Sequence, residues 1–302
     1  MNKAIGFIGL GVMGFPMAGH LSKKYQISVF NRSIEKSEDW VKKYKGNISS
    51  SLKDITHRSD VLILCVGKDD DVRNIVCGKD GILEHINPGM IIIDHTTTSS
   101  ELPLELNKLL NIKEVDFIDA PISGGEAGAK SGQLSIMAGG NEKAFKEIKD
   151  IIKLYSKFTK LMGSSGAGQL TKMVNQICIA GLLQGLAEAM NFSDKVGLKT
   201  DEVIEVISKG AAQSWQMENR WETMMNDEFN HGFAVDLMRK DLDIVINKGK
   251  DSNINLDVTK IVNEYYKDIQ EAGGGRWDTS SLYKRLKAVS YTHLTLPTTP
   301  YV

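Results

Sequence analysis

Several features that mark other protein classes are scarce in this sequence. Its 302 residues include three cysteines and six histidines. No two cysteines form a Cys-x-x-Cys pair and the histidines are scattered, which argues against a disulfide framework and a metal cluster and fits a reducing cytosol. The 37 basic and 38 acidic residues give a net charge of -1. This balance gives no electrostatic reason to expect nucleic acid or an anionic membrane as a partner.

The sequence also lacks an apolar run that could span a bilayer. Its most apolar stretch, Ile177–Met190, is interrupted by Gln184 and Glu188, whereas a membrane helix needs about 20 apolar residues. No signal peptide precedes the apolar segment that starts at Ala4. These absences predict a soluble, cytoplasmic protein, and the chain is long enough for two domains.

The first half of the chain alternates short, branched apolar runs with amphipathic segments, a pattern typical of an α/β fold with a doubly wound parallel sheet. The predicted strands are Ala4–Leu10, Ile27–Phe30, Val61–Val66, Met90–Asp94, Val115–Ala120, Leu134–Ala138 and Phe158–Met162. The predicted helices between them include Phe15–Lys24, Ile34–Tyr44, Glu101–Leu110 and Glu142–Tyr155.

After Gly163 the strand pattern stops. One long apolar helix is predicted from Gln169 to Val196, followed by further helices. We therefore expect a dinucleotide-binding domain over residues 1–163 and an all-helical domain over 164–288. The apolar helix favours a homo-oligomer. Residues 289–302 are rich in Thr and Pro and are interpreted as a foreign or disordered tail.

A glycine-rich turn follows the first predicted strand and opens a helix. It reads Gly9-Leu10-Gly11-Val12-Met13-Gly14, a Gly-x-Gly-x-x-Gly motif in the context that dinucleotide binding requires. Gly9 permits the tight turn, Gly11 lets the backbone approach a pyrophosphate, and Gly14 lets the helix pack on the strand. The alternative is a glycine turn without a ligand.

The second predicted strand ends in Asn31-Arg32-Ser33. An NAD site usually carries an acidic residue here for the ribose 2′-hydroxyl. Asn31 would not repel a 2′-phosphate, and Arg32 can bind one, with Ser33 and Lys36 assisting. The sequence therefore favours NADP, with NAD possible, and the alternative for Arg32 is a solvated surface residue.

A second glycine-containing loop, Ser123-Gly124-Gly125, follows a predicted strand. Its backbone N–H groups and the Ser123 hydroxyl can bind a carboxylate. Considered alone, the loop fits a plain turn equally well.

Five separated motifs resemble, in order and spacing, the β-hydroxyacid dehydrogenase family, which includes 3-hydroxyisobutyrate dehydrogenase and tartronate semialdehyde reductase. They are Gly9–Gly14, Asp94–Thr97, Asp119–Gly125, Gly168–Asn175 and Lys240–Leu242. The resemblance spans about Lys3 to Lys287. It implies a Rossmann domain, an all-helical domain, and hydride transfer between a nicotinamide and a small aldehyde acid or 3-hydroxy acid. Candidate substrates are 3-hydroxyisobutyrate, tartronate semialdehyde, succinic semialdehyde and glyoxylate.

The resemblance also implies roles for individual residues. Lys172 would be the catalytic acid/base and Asn175 its neighbour at the substrate, whose acid group would lie on Ser123, Gly124 and Gly125. The cofactor would be contacted by Thr97, Phe233 and Lys240, and also by Val66 and Gly67, which stand where many relatives have Leu-Pro. Gly168, one turn before Lys172, is expected to leave room for a ligand.

Three alternatives remain open at this point. A 6-phosphogluconate dehydrogenase would have a histidine where Val174 stands, and imine reductases usually lack a lysine at position 172. A non-catalytic NADP-binding interaction protein could dispense with that lysine altogether. Without the other motifs, Lys172 would be read as a lysine that reaches solvent near a helix start.

Overall fold

The computed structural model describes residues 3–293, with side chains to residue 288. Within this range, one nine-stranded sheet dominates the first part of the chain. Its order is β3-β2-β1-β4-β5-β6-β8-β7, with β9 paired to β8. Neighbours from β3 to β6 are parallel, and β8 runs antiparallel to β6 and β7. The strands are β1 Ile5–Ile8, β2 Ile27–Phe30, β3 Asn47–Ile48, β4 Val61–Leu64, β5 Ile91–Asp94, β6 Asp116–Asp119, β7 Ile122–Ser123, β8 Leu134–Gly139 and β9 Ser156–Gly163.

Helices cover both faces of this sheet, which confirms the predicted doubly wound α/β fold. One apolar cluster contains residues of α1, α2, α6 and α7, and a second contains residues of α3, α4 and α5. These helices are α1 Gly14–Leu21, α2 Ile34–Lys43, α3 Leu52–His57, α4 Asp69–Cys77, α5 Glu101–Asn111, α6 Gly125–Ser131 and α7 Glu142–Ile152.

The rest of the described chain is helical, as predicted. Its core is a separate apolar cluster. The helices are α8 Ala167–Lys195, α9 Thr200–Ile207, α10 Trp215–Met225, α11 Val235–Asp251, α12 Asp257–Glu271 and α13 Leu282–His293. None of the helices between residues 3 and 293 has the length and hydropathy of a transmembrane span.

Two compact units divide the chain, one ending at Lys172 and the next beginning at Met173. This division lies inside α8, nine residues beyond the predicted boundary at residue 163, because the first turn of α8 packs on the sheet. The proposed tail begins within α13, and residues 294–302 lie outside the described residues. The tail therefore stays a prediction.

Candidate active site

The glycine turn after β1 has the geometry that the motif requires. Gly9 has a φ of 100°, and a Cβ atom there would lie 2.3 Å from the Cys65 carbonyl oxygen. A Cβ on Gly14 would lie 2.0 Å from the Gly9 carbonyl oxygen, so only glycine lets α1 start this close to β1. At Gly11, by contrast, a Cβ would have no neighbour within 4 Å. The turn therefore has open space at the position where a pyrophosphate would approach.

The other residues of the turn leave the start of α1 open. Met13 occupies the N-cap position without a side-chain cap, and Val12 is 57% exposed. A helix N-terminus of this kind attracts phosphate. A cavity of about 600 Å³, lined by Leu10, Gly11, Val12 and side chains of α1, α2 and α6, borders the turn.

Asn31 connects this turn to the end of β2. Its Oδ1 accepts a 2.9 Å hydrogen bond from the Leu10 N–H, and its Nδ2 donates to the Ser33 carbonyl oxygen at 3.0 Å. Arg32 and Ser33 are exposed beside it, and the Ser33 side chain does not cap α2. The amide of Asn31 thus fixes the loop and adds no negative charge near Arg32.

The segment that contains Thr97 is held on both sides. Thr96 Oγ1 accepts from the Val66 N–H at 3.1 Å, and the Gln169 amide bonds the Thr98 N–H at 3.1 Å and the Thr96 carbonyl oxygen at 2.8 Å. Gly67, next to Val66, is exposed. The loops after β4 and β5 are thereby fixed to each other and to the first turn of α8.

Asp119, at the end of β6, caps the start of α8. Its carboxylate accepts from the Gly166 N–H at 2.8 Å and the Gln169 N–H at 3.0 Å. The side chain is fully buried, and burial raises the pKa of Asp119 to about 6. The cap fixes the helix that carries Lys172 one turn further on.

The expectation that Gly168 leaves room for a ligand is wrong. A Cβ at this position would lie 2.4 Å from the Met137 carbonyl oxygen and 2.7 Å from the Asp119 carboxylate. Glycine is needed here because α8 starts in close contact with the backbone of the sheet.

Asp94 and His95, consecutive residues at the end of β5, are both buried and polar. Asp94 Oδ1 accepts from the Thr96 N–H at 2.9 Å, while Oδ2 has no hydrogen-bond partner, and burial raises the pKa of Asp94 to about 7. His95 Nδ1 lies 2.6 Å from the Ala120 carbonyl oxygen and Nε2 lies 2.9 Å from the Tyr155 hydroxyl. A carbonyl only accepts, so Nδ1 carries the proton and Nε2 accepts from Tyr155. Burial lowers the pKa of His95 to about 4.

The structure brings Lys172 to the Ser-Gly-Gly loop. Lys172 is 7% exposed, and its Nζ donates a 2.8 Å hydrogen bond to the carbonyl oxygen of Ile122, directly before Ser123. Gly124 and Gly125 have φ values of 134° and 60°, which L-residues rarely adopt. A Cβ on Gly125 would have no neighbour within 4 Å, so this backbone is open to a ligand.

In the helical unit, a chain of polar contacts joins Asn175 and Lys240, which the sequence assigned to the substrate and the cofactor. Asn175 Nδ2 donates to Gln176 Oε1 at 2.7 Å, and Gln176 Nε2 donates to Asp241 Oδ2 at 2.7 Å. Lys240 Nζ lies 3.0 Å from Asp241 Oδ1. Asp241 is 2% exposed and orients both neighbours.

Phe233 is positioned by Asp278, whose Oδ2 accepts from the Phe233 N–H at 2.8 Å and whose Oδ1 is paired with Arg220 at 3.1 Å. Sequence reasoning gave no role to Asp278, nor to Asp119, Gln169, Gln176 and Asp241. Apart from Asp278, these residues lie inside or beside the five motifs, and that position in the sequence could have pointed to a role for them. Asp278 lies in none of them.

The order β3-β2-β1-β4-β5-β6, with a glycine turn after β1, defines a dinucleotide-binding α/β protein. Residues 4–173 match the model for the NAD binding domain of 6-phosphogluconate dehydrogenase. Residues 166–286 match the NAD-binding model of NADP-dependent 3-hydroxyisobutyrate dehydrogenase. The chain belongs to the NAD(P)-dependent β-hydroxyacid dehydrogenase family, whose members act on CH–OH groups.

Relatives resemble the chain over nearly its whole length. An uncharacterised oxidoreductase of Shewanella frigidimarina is 48% identical over 94% of this chain and 98% of its own. The 2-hydroxy-3-oxopropionate reductase of Escherichia coli is 32% identical over 95% of this chain and 98% of its own length. Among solved structures, a 3-hydroxyisobutyrate dehydrogenase from Salmonella typhimurium has a TM-score of 0.83 and 25% identity, covering 94% of this chain and 99% of its own.

Proposed function

We propose that this enzyme is an NADP-preferring reductase of small aldehyde acids that oxidises the corresponding hydroxy acids, 3-hydroxy acids among them, in reverse. The observation that carries the proposal is the buried Lys172 ammonium group, hydrogen-bonded beside a loop that can bind a carboxylate. A lysine that merely reached solvent would not be 7% exposed. A proton donor beside an acid-binding loop suits a substrate that has a carbonyl near its carboxylate.

Each residue near the reacting atoms then has a role. The nicotinamide, when bound, supplies the hydride for reduction and accepts it in oxidation. Lys172 Nζ gives a proton to the substrate oxygen in reduction and takes one from the hydroxyl in oxidation. The Ser123 hydroxyl and the N–H groups of Gly124 and Gly125 bind the carboxylate. Asn175, one turn along α8, is assigned to the substrate as well.

The proposed cofactor site starts at the glycine turn, where Gly11 and the uncapped start of α1 bind the pyrophosphate. Arg32 and Ser33 bind the 2′-phosphate, and the uncharged Asn31 does not repel it. The remaining cofactor contacts assigned through the family resemblance are Val66, Gly67, Thr97, Phe233 and Lys240.

The substrate class is supported by the Escherichia coli relative, a 2-hydroxy-3-oxopropionate reductase, which acts on tartronate semialdehyde. The three unpaired cysteines fit the cytoplasmic location that is part of the proposal. The proposal also includes the homo-oligomer that the long apolar helix predicts.

The test is a screen of NADPH oxidation with tartronate semialdehyde, methylmalonate semialdehyde, succinic semialdehyde and glyoxylate. Glycolaldehyde and propionaldehyde, which have no acid group, serve as matched controls. We expect turnover with at least one of the acids, faster with NADPH than with NADH, and little with the controls. Ser123→Ala should raise KM for the acid more than it lowers kcat. Equal rates with acids and simple aldehydes would refute the acid-binding loop.

A further inference from the structure

Gln169, in the first turn of α8, is a fully buried polar residue whose side chain makes two hydrogen bonds to one short segment. Its Oε1 accepts from the Thr98 N–H at 3.1 Å, and its Nε2 donates to the Thr96 carbonyl oxygen at 2.8 Å. A carbonyl oxygen only accepts, so the amide has one possible orientation here. The two bonded groups flank Thr97, and the amide therefore holds the backbone on both sides of that residue.

Thr97 differs from its neighbours in exposure. Thr96 and Thr98 are buried, whereas Thr97 is half-buried. The segment follows β5, in the half of the sheet formed by β4, β5 and β6. A dinucleotide crosses from one half of such a sheet to the other, so a cofactor whose 2′-phosphate lies after β2 has its nicotinamide on the β5 side. Thr97 is the residue of this segment whose side chain can reach it.

The same turn of α8 carries Lys172, three residues further along. Residues three apart lie on one face of a helix, with Cβ atoms about 5–6 Å apart, and both of these side chains are buried. Two more bonds hold the turn in place. Asp119 accepts from the Gln169 N–H at 3.0 Å, and Lys172 Nζ donates to the Ile122 carbonyl oxygen at 2.8 Å. The turn cannot slide or rotate without breaking them.

We propose that Gln169 is a positioning residue, which sets the distance between Thr97, at the cofactor, and the proton donor Lys172. The inference rests on the proposed function, in which hydride and proton reach the two atoms of one carbonyl group. The groups that place them must keep a fixed separation, because reacting atoms need to lie about 3–3.5 Å apart and a 1 Å displacement can lower the rate about 10²-fold. An amide suits this role, since it donates and accepts at once and adds no charge beside Lys172.

The fluorescence of bound NADPH tests this role without turnover, because it depends on the surroundings of the nicotinamide ring. Gln169→Met keeps the length of the side chain and loses both bonds. Its emission with NADPH should move at least halfway towards that of free NADPH. The Kd for NADPH, from calorimetry, should change less than threefold, because the glycine turn and Arg32 bind the cofactor elsewhere.

Thr171→Val is the matched control on the same turn of α8. The Thr171 hydroxyl donates within the helix, to the Ala167 carbonyl oxygen at 2.8 Å, and this substitution removes that bond while the side chain keeps its shape. Emission, Kd and kcat should all stay at the wild-type values. If circular dichroism shows that Gln169→Met does not fold, Gln169→Glu takes its place with the same expectations, since it keeps the acceptor for the Thr98 N–H and loses the donor.

Kinetics separate positioning from a purely structural role. With the best acid from the screen, Gln169→Met should lower kcat about 10- to 100-fold and leave KM for the acid within about threefold of wild type. A lower Tm with unchanged emission or unchanged kcat, wild-type emission equal to that of free NADPH, or the same changes in Thr171→Val would overturn the proposal. If the wild-type enzyme turned over none of the acids, the proposed function would fail, and the emission alone would decide the role of Gln169.

Discussion

The buried Asp94 and His95 should respond to pH in opposite directions. The ordinary pKa of an aspartate is 3.8, and burial raises that of Asp94 to about 7. Between pH 4 and 7 the folded protein therefore holds a proton that the unfolded chain releases, so this group's contribution to stability is lost as the pH rises. About three pKa units correspond to a change on the order of 4 kcal/mol in the free energy of unfolding.

His95 has the reverse effect. Its pKa falls from 6.5 to about 4, so between these values the unfolded chain binds a proton that the folded protein does not. Its contribution is present above pH 6.5 and is lost as the pH falls towards 4, by on the order of 3 kcal/mol. In the wild-type protein the two contributions largely cancel over this range.

Single substitutions should separate the two contributions. His95→Gln keeps a donor and an acceptor but does not titrate, so its stability relative to wild type should improve as the pH falls from 7 to 4. Asp94→Asn should improve relative to wild type as the pH rises over the same range. Urea unfolding followed by circular dichroism at half-unit pH steps measures both slopes. Slopes of the same sign, or differences below about 0.5 kcal/mol across the range, would refute the burial argument.

Three further results are expected. Arg32→Ala should raise KM for NADPH about 10-fold or more, because a charge-assisted bond is lost, and leave NADH kinetics nearly unchanged; equal loss with both coenzymes would exclude Arg32 as the phosphate ligand. Gly168→Ala should lower the free energy of unfolding by roughly 1–3 kcal/mol through overpacking against the sheet, and an unchanged Tm would contradict the close contact. Asp241→Asn should lower kcat with the acid substrate, because Gln176 and Asn175 lose the carboxylate that orients them; a change in Tm with unchanged kcat and KM would show a purely structural role.

The sequence was enough to predict those strands and helices whose own residues follow a recognisable apolar pattern. β2 was predicted with its observed bounds, Ile27–Phe30, because branched apolar residues end abruptly at Asn31. β3 and β7 were missed because each has two residues and exists only through pairing with a neighbouring strand. Such short strands have no periodicity of their own to detect.

At the candidate site, residue types were easier to predict than contacts. The glycine turn could be predicted from its own residues and their place after a strand, whereas the Ser-Gly-Gly loop alone fits a plain turn equally well and was assigned to the substrate through the family resemblance. The reason for Gly168 was misread, because a glycine needed for close backbone contact and one that leaves space for a ligand look the same in a sequence. The bond between Gln176 and Asp241 joins residues 65 positions apart, and no local pattern predicts it.

The Lys172→Ala variant tests most directly whether Lys172 is the proton donor and acceptor of the reaction. With the best acid from the screen, kcat should fall about 10²–10⁴-fold, while the Kd for NADPH, measured by fluorescence, should change less than threefold. Lys172→Arg should recover little activity, because a guanidinium keeps its proton near neutral pH. A Lys172→Ala enzyme with more than about a tenth of wild-type turnover would contradict the assignment.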